Sequence, residues 1–271
     1  MHTETERLAD LDRSVLWHPF TQMRGWQDEP PILVERAEGT TLFDTDGRGY
    51  IDGVSSLWCN VHGHRHPHID QAVRDQLDRV AHSTMLGLSH PGAVELGGKL
   101  LDVAPDGLSR VFYSDNGSTA NEIALKMAFQ YWQHMGEHAR TKFVYLRNSY
   151  HGDTVGSVSV GGIDLFHHMY KPLLFEGFAV EPGDADGLRR LLDEHRDEIA
   201  AVIVEPLVQG AAGIIVQPGG YLRAVREQCD DHDLFLICDE VATGFGRTGT
   251  MFACEQEGVT PDFMTVAKGL T

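Results

Sequence analysis

The pattern of apolar and polar residues changes near residue 110 of this 271-residue chain. Before that point, short strand-like segments at 32–39, 41–43 and 50–52 are separated by tight turns. Asp46-Gly47, between the second and third segments, is a hairpin turn signal. The pattern before residue 110 therefore predicts short strands joined by tight turns.

Two helices are predicted next along the chain. The first runs over about 68–82, and the second begins at Pro91, a favoured first helical position, and ends before Pro105. The first helix carries an apolar face made of Ile69, Val73, Leu77 and Val80.

After residue 110, strands and helices alternate. Strands are predicted at 111–113, 142–146, 200–204, 234–238 and 262–267. Helices are predicted at 119–134, 187–198 and 221–232. Uninterrupted apolar strands between helices are typical of a mostly parallel sheet covered on both faces, so we expect an α/β fold. We expect residues 1–65 to form a small N-terminal β/α segment and residues 66–271 to form the large domain.

Three chemically useful residues directly follow predicted strands. Ligands bind outside the carboxyl ends of parallel strands, which makes Glu205, Asp239 and Lys268 site candidates. A buried aspartate needs a positive partner, and a protonated pyridine nitrogen would serve. A lysine amine in such a place can form an imine with an aldehyde and later move a proton. The plainer alternatives are an aspartate that caps the glycine-rich loop after residue 239 and a surface lysine.

The segment Ser114-Asp-Asn-Gly-Ser-Thr-Ala-Asn-Glu places a turn at the start of a predicted helix. The first-turn N–H groups and the hydroxyls there suit an anion such as phosphate, and Gly117 allows close approach to the backbone. The alternative is a simple helix cap, with Ser118 as the capping residue and Asn121 or Glu122 closing it.

Two other segments carry side chains that suit ligands. Tyr150-His151-Gly152 follows a predicted strand, and an aromatic ring at that position can stack on a planar ligand. Histidines 62, 64, 66 and 68 have alternate spacing that invites a metal interpretation. We do not favour a metal site, because no carboxylate or cysteine partner has recognisable spacing.

Composition narrows the function classes. The net charge of −18 disfavours nucleic acid and anionic membranes as partners, although it permits a local basic phosphate pocket. No apolar stretch approaches the roughly 20 residues that a membrane-spanning helix needs, and the polar N-terminus does not look like a secretory signal. Four scattered cysteines without a CxxC pair are typical of reduced thiols in a cytoplasmic protein.

Five segments together resemble one protein family over nearly the whole chain. They are 115–122 (Asp-Asn-Gly-Ser-Thr-Ala-Asn-Glu), 150–152 (Tyr-His-Gly), 205–210 (Glu-Pro-Leu-Val-Gln-Gly), 239–249 (Asp-Glu-Val-Ala-Thr-Gly-Phe-Gly-Arg-Thr-Gly) and 267–271 (Ala-Lys-Gly-Leu-Thr). In this order they resemble the class III, fold-type I aminotransferases that depend on pyridoxal phosphate (PLP). The resemblance implies the PLP-transferase fold, a homodimer and small-molecule keto acid and amine substrates.

The resemblance also implies a role for each matching residue. Lys268 would hold the cofactor covalently and move the substrate proton, and Asp239 would pair with the pyridine nitrogen. Gly117 and Ser118 would bind the phosphate. The remaining cofactor and substrate residues implied by the match are Tyr150 and Val241 on the two ring faces, His151, Glu205 and Gln209 nearby, and Phe20, Leu57 and Trp58 along the substrate channel.

A narrower resemblance concerns the biotin-pathway branch of the family. It rests on 17–23 (Trp-His-Pro-Phe-Thr-Gln-Met), 52–58 (Asp-Gly-Val-Ser-Ser-Leu-Trp) and 62–67 (His-Gly-His-Arg-His-Pro). Enzymes of that branch convert 8-amino-7-oxononanoate to 7,8-diaminononanoate. Many members that use S-adenosylmethionine as amino donor have Tyr and Trp where this chain has Phe20 and Leu57, and the Phe/Leu form resembles the variant that uses lysine. Both donors stay open.

Family members also continue well past the cofactor lysine. The resemblance therefore implies that a C-terminal small domain is absent here, and that residues 1–271 alone are of low stability and inactive. Two alternatives accompany the biotin-pathway hypothesis: another class III enzyme of the ω-amino acid:pyruvate type, and an inactive truncated fragment.

Overall fold

A computed structural model describes residues 3–163 and 168–270 of the chain. The chain divides into two compact units, Met1–Ser83 and Thr84–Thr271. The division into 1–65 and 66–271 that the sequence suggests stays a prediction about domain organisation.

The first unit contains an antiparallel sheet of three strands. They are β1 (Val34–Glu38), β2 (Thr41–Asp44) and β3 (Gly49–Ile51), in that order across the sheet. The predicted hairpin lies between β2 and β3, where Gly47 has a φ of 80° that glycine adopts without steric cost. The Asp44 carboxylate closes this turn, because it accepts hydrogen bonds from the backbone N–H groups of Asp46 and Arg48 and from the Tyr50 hydroxyl.

The described residues of the first unit also form three helices and one short segment, α3 (Ser55–Trp58), whose φ angles are all positive. The three helices are α1 (Glu4–Val15), α2 (Met23–Asp28) and α4 (Pro67–Leu77). The helix predicted over 68–82 is therefore real but ends at Leu77, before Val80. The sequence pattern gave no prediction for α1, whose start is fixed by a capping box between Thr3 and Glu6 rather than by an apolar stripe.

A parallel sheet of five strands forms the centre of the second unit. In chain order the strands are β4 (Lys142–Leu146), β5 (Phe178–Val180), β6 (Ile199–Val204), β9 (Phe235–Asp239) and β10 (Phe263–Thr265), with a small antiparallel pair, β7 (Val208–Gln209) and β8 (Ile215–Val216), between β6 and β9. The order across the sheet is β10-β9-β6-β4-β5, and every neighbouring pair is parallel. The predicted parallel sheet is confirmed.

The helices of the second unit cover both faces of that sheet. They are α5 (Pro91–Val103), α6 (Gly117–His134), α7 (Val155–Ser159), α8 (Ala185–His195) and α9 (Tyr221–Asp231). Val202 and Val204 of β6 pack in one cluster with residues of α8 and α9, whereas Ala201 and Ile203 pack in another cluster with α6. The strand is buried on both sides, which explains its unbroken apolar sequence. None of the helices within 3–163 and 168–270 is both long and apolar enough to cross a membrane.

The strand predicted at 111–113 is wrong. A strand needs a hydrogen-bonded neighbour, and these residues have no ladder partner within the described part of the chain. Phe112 is exposed, and Tyr113 is held instead by its hydroxyl, which donates to the Ala93 carbonyl at 2.6 Å. The last predicted strand, 262–267, is shorter than expected and ends at Thr265.

Candidate active site

Asp239 is the centre of a buried polar network at the carboxyl end of β9. The residue is 3% exposed. Oδ2 lies 2.7 Å from Nδ1 of His151 and 2.8 Å from Nδ2 of Asn121, and Oδ1 accepts the Val241 N–H at 3.0 Å. A carboxylate can only accept, so His151 donates from Nδ1. Three hydrogen-bond donors therefore fix the position of this one carboxylate.

Thr265 of β10 completes the network. Its hydroxyl lies 2.7 Å from Oδ1 of Asn121 and 3.5 Å from Oδ1 of Asp239. A hydroxyl has one proton, and the shorter contact takes it. Oδ1 of Asp239 thus keeps an acceptor position for one further donor. Nε2 of His151 is also buried and has no hydrogen-bond partner among the described residues.

The sequence pattern does not single out Asn121 and Thr265 as site residues. Asn121 figured only as a possible part of a helix cap, yet it is buried on the face of α6 that packs on the sheet, with Ala124, Leu125 and Ala128. A polar residue on that apolar face is the signal that points to it, because a buried amide must find partners.

The anion site predicted from the sequence would lie at the first turn of α6. The helix begins at Gly117, and its cap is Asn116, whose side chain accepts the Thr119 N–H at 3.0 Å. The alternative with Ser118 as the cap is therefore wrong. The Ser118 hydroxyl instead accepts the Asp153 N–H at 3.2 Å. The positive end of the helix dipole and its first N–H groups favour an anion here.

Gly117 has no room for a side chain. A Cβ at this position would lie 2.7 Å from Cγ1 and 3.1 Å from Cγ2 of Val241. The structure therefore brings two predicted cofactor residues, from α6 and from the loop after β9, into direct contact.

Gly117→Ala is expected to weaken cofactor binding about ten-fold, because the added methyl must displace Val241, and such overpacking costs roughly 1–3 kcal/mol. The PLP dissociation constant, measured by absorbance titration of the complete protein, checks this. Gly98→Ala is the matched control, since a Cβ there meets nothing within 4 Å. Equal affinities for both variants would contradict the prediction.

Glu205 anchors the loop that carries Tyr150. It lies just after β6, and its carboxylate accepts the N–H groups of Tyr150 and Gly210, each at 2.9 Å. Burial is the main reason that the pKa of Glu205 rises from about 4.5 to about 7. Burial also raises the pKa of Tyr150, whose hydroxyl donates to Asp153 at 2.6 Å. Glu205 thus links the end of β6 to the predicted ring-stacking tyrosine.

Gln209 ties the same region together from β7. It is fully buried, and its side-chain amide donates to the Arg147 carbonyl at 2.8 Å. The loop after β4 is therefore held from both ends of the 205–210 segment.

A pH dependence follows from Glu205. An acid whose pKa is raised on folding binds more protons in the native state, so its contribution to stability falls as pH rises between the two pKa values. Between about pH 4.5 and pH 7 the wild type is expected to lose up to about 3 kcal/mol through this group. Glu205→Gln cannot ionise and lacks this loss, although its amide satisfies only one of the two N–H donors and lowers stability at every pH.

The stability gap between wild type and Glu205→Gln should accordingly narrow as pH rises from 5 to 8. Denaturant unfolding of the cofactor-free protein across this range measures the gap. A gap that stays constant would contradict the raised pKa.

Lys268 begins a short 3-10 turn, Lys268–Leu270, three residues beyond Thr265. Thr265 is the register partner of Asp239 in the parallel pair of β10 and β9. The lysine and the aspartate therefore follow neighbouring strands at the same edge of the sheet, as the sequence predicts. Its catalytic role stays a prediction.

The predicted substrate residues Phe20, Leu57 and Trp58 belong to the other compact unit. All three have positive φ angles, of 50°, 69° and 69°. A left-handed conformation costs a non-glycine residue roughly 1–2 kcal/mol. Strained backbone of this kind concentrates at functional sites.

In the described part of the chain, no group of three His, Cys, Asp or Glu residues is placed to hold a metal ion, and this includes the histidines at 62–68. His64 instead contacts Asp52, with Nε2 2.7 Å from a carboxylate oxygen.

Comparison with known proteins decides the family. Residues 23–271 match the sequence profile described as aminotransferase class-III. The chain belongs to the class III aminotransferases. Adenosylmethionine-8-amino-7-oxononanoate aminotransferase of Nitratidesulfovibrio vulgaris is 54% identical over 99% of this chain and 53% of that protein. The protein of the same description from Geobacter sulfurreducens is 49% identical over 99% of this chain and 63% of its own length.

Solved structures agree with this assignment. The crystal structure of adenosylmethionine-8-amino-7-oxononanoate aminotransferase from Methanocaldococcus jannaschii superposes with a TM-score of 0.96 at 42% identity, and covers 98% of this chain and 63% of that chain. A transaminase from the marine bacterium Virgibacillus gives a TM-score of 0.94 at 35% identity. The fold is that of the class III transaminases, as predicted. The chain spans between about half and two thirds of the length of these relatives.

Class III aminotransferases depend on PLP, and the residues present fit this cofactor. The open acceptor position on Oδ1 of Asp239 suits a protonated pyridine nitrogen, and the carboxylate charge favours it. The first turn of α6, where even one methyl group is excluded at Gly117, suits a phosphate that approaches the backbone. Tyr150 and Val241 are partly exposed and so are available to a planar ring.

Proposed function

We propose that the complete protein transfers an amino group to 8-amino-7-oxononanoate and forms 7,8-diaminononanoate in biotin synthesis. The observation that carries the proposal is the Asp239 carboxylate, buried and fixed by three donors, at the sheet edge that Lys268 follows. The choice of substrate is supported by relatives of that description at 49–54% identity. It is supported independently by the His-Pro-Phe-Thr-Gln-Met segment at 18–23.

Each residue has a defined task in this proposal. Bound PLP supplies the electron sink that stabilises negative charge on the substrate carbon. Asp239 holds the proton on the pyridine nitrogen through Oδ1, while His151 and Asn121 fix the carboxylate through Oδ2. Nζ of Lys268 would hold the cofactor and would also be the base that takes the proton from the substrate carbon and returns it.

Further residues hold the cofactor and its pocket. Gly117 and Ser118 bind the phosphate. Tyr150 and Val241 cover the two faces of the ring, and Glu205 keeps Tyr150 in place through its backbone N–H. Phe20, Leu57 and Trp58 contact the substrates.

The amino donor is either S-adenosylmethionine or lysine. Phe20 and Leu57 support lysine, because they offer neither the hydroxyl nor the indole that a sulfonium-bearing nucleoside would use. The names of the relatives support S-adenosylmethionine.

The test is an assay of the complete, PLP-loaded protein with 8-amino-7-oxononanoate and either donor, with product detection by mass spectrometry. The proposal predicts 7,8-diaminononanoate with at least one of the two donors. A protein that turns over an ω-amino acid with pyruvate but does not turn over 8-amino-7-oxononanoate would overturn the proposal.

A cytoplasmic homodimer is part of the same proposal. Four unpaired cysteines, three of them buried, support a reducing compartment. The family resemblance supports the dimer, in which fold-type I sites form between subunits. Analytical ultracentrifugation of the complete protein tests the second point, and a monomer would contradict it.

A further inference from the structure

The segment Ser55–Trp58 is a left-handed turn built from four residues that are not glycine. The φ angles of Ser55, Ser56, Leu57 and Trp58 are 50°, 46°, 69° and 69°. Single left-handed residues are tolerated, but consecutive ones are rare because each brings its Cβ close to the following carbonyl. Something must hold this turn in its conformation.

Burial of Leu57 does not hold it. Leu57 is 65% exposed and Val54, just before the turn, is 60% exposed. Trp58 is only partly buried, so burial of the apolar side chains of the turn does not fully offset its backbone strain. Strained backbone of this kind is found at ligand clamps and active sites, which points to a functional role for the turn.

The Asp52 side chain holds the turn together with backbone hydrogen bonds, such as the one from the Trp58 N–H to the Val54 carbonyl at 2.7 Å. The Asp52 carboxylate accepts the Ser56 N–H at 2.8 Å and the Ser56 hydroxyl at 2.9 Å. The same carboxylate lies 2.7 Å from Nε2 of His64, and its side chain is only 4% exposed. These hydrogen bonds lower the pKa of Asp52, so the acceptor stays ionised.

His64 connects the turn to the sheet of the first unit. The backbone of His64 exchanges two hydrogen bonds with Gly39, at the end of β1, of 2.8 and 3.1 Å. Asp52 itself follows β3, and its N–H donates to the Thr40 carbonyl at 2.8 Å. Both ends of the Asp52–His64 contact are thus anchored in regular structure, and the turn between them is the strained element.

We propose that Asp52 is a positioning residue for the substrates, which sets the direction of Leu57 and Trp58 by holding the left-handed turn through Ser56. This inference rests on the proposed function, because it takes Leu57 and Trp58 as substrate contacts. It adds a residue that touches neither substrate nor cofactor but decides how well substrates bind. The effect should therefore appear in KM more than in kcat.

The test is Asp52→Ala in the complete protein. KM for 8-amino-7-oxononanoate is expected to rise about ten-fold and kcat to fall less than about three-fold, since contacts made equally in the bound substrate and in the transition state affect KM and not kcat. Hydrogen exchange of the amides in 55–60 should accelerate, while the PLP absorption spectrum stays unchanged. Asp52→Asn keeps an oxygen acceptor for Ser56 and should raise KM less than Asp52→Ala does. If the alanine variant does not fold, the asparagine variant is used for the test.

Asp44→Ala is the matched control. Asp44 lies in the same unit and also accepts three hydrogen bonds, but it closes the hairpin between β2 and β3. The Asp44→Ala variant is expected to have a lower unfolding temperature and an unchanged KM.

An unchanged KM in Asp52→Ala, or an equal rise of KM in Asp52→Ala and Asp44→Ala, would overturn the inference. The proposed function would stand in that case, provided that the wild-type protein turns over 8-amino-7-oxononanoate. A wild-type protein that does not use this keto acid would overturn the proposed function, and the inference with it.

Discussion

Lys268→Ala is expected to lower the transamination rate of the complete protein by about 10⁴-fold or more. The substitution removes both the covalent attachment of the cofactor and the base that moves the substrate proton, and a positioned base alone contributes up to about 10⁴-fold. Steady-state kinetics measure the rate, and the absorption spectrum reports the loss of the covalent bond. PLP should still bind through the phosphate site and Asp239.

Lys126→Ala is the control for this prediction. Lys126 is exposed on α6, in the same compact unit, and the variant should retain wild-type kinetics and spectrum. A Lys268→Ala protein that keeps more than a tenth of its activity would show that another group holds the cofactor.

Asp239→Asn is expected to lower kcat/KM by about 10²–10³-fold, the usual effect of removing one electrostatic stabiliser from a buried site. The amide is isosteric but neutral, so it no longer holds the proton on the pyridine nitrogen. It also has one oxygen for the three donors from His151, Asn121 and Val241. The variant should therefore lose about 1–3 kcal/mol of stability as well.

Asp262→Asn separates these two effects. Asp262 precedes β10, at the opposite end of the strand from Lys268, and accepts the Leu236 N–H at 2.7 Å and a guanidinium N–H of Arg226 at 2.7 Å. The Asp262→Asn variant should be less stable than the wild type but have the same kcat/KM. A loss of activity in Asp239→Asn no greater than that in Asp262→Asn would mean that Asp239 has only a structural role.

The sequence predicts which residues lie at the carboxyl ends of the parallel strands, because the apolar pattern of those strands is strong. Unbroken apolar runs end at Glu205 and Asp239, and their strands lie side by side as β6 and β9 in a parallel sheet. The carboxyl ends of such strands necessarily share one edge. Lys268 is placed at the same edge by the same argument.

Asn121 and Thr265 are harder to predict, because their contacts depend on tertiary structure. The Asn121–Asp239 bond joins residues 118 apart, and the Thr265–Asn121 bond joins residues 144 apart. No local pattern encodes a distance of that kind, although a buried asparagine on an apolar helix face signals that a partner exists.

The left-handed turn at Ser55–Trp58 has no sequence signal either. Glycine and asparagine are the residues that favour positive φ, and this segment contains neither. The strand predicted at 111–113 failed for the opposite reason, since its residues favour extended structure but no neighbouring strand pairs with them within the described residues. Local preference is insufficient wherever a distant partner decides the conformation.

We propose that Lys268 carries PLP in this class III aminotransferase site. The most direct test is borohydride reduction of the PLP-loaded complete protein, followed by proteolysis and mass spectrometry of the peptides. We expect a pyridoxyl group on Lys268. Incubation with an amino donor before the reduction should abolish this labelling, and Lys268→Ala should not be labelled. Attachment to any other lysine, or no attachment to a protein that turns over substrate, would contradict it.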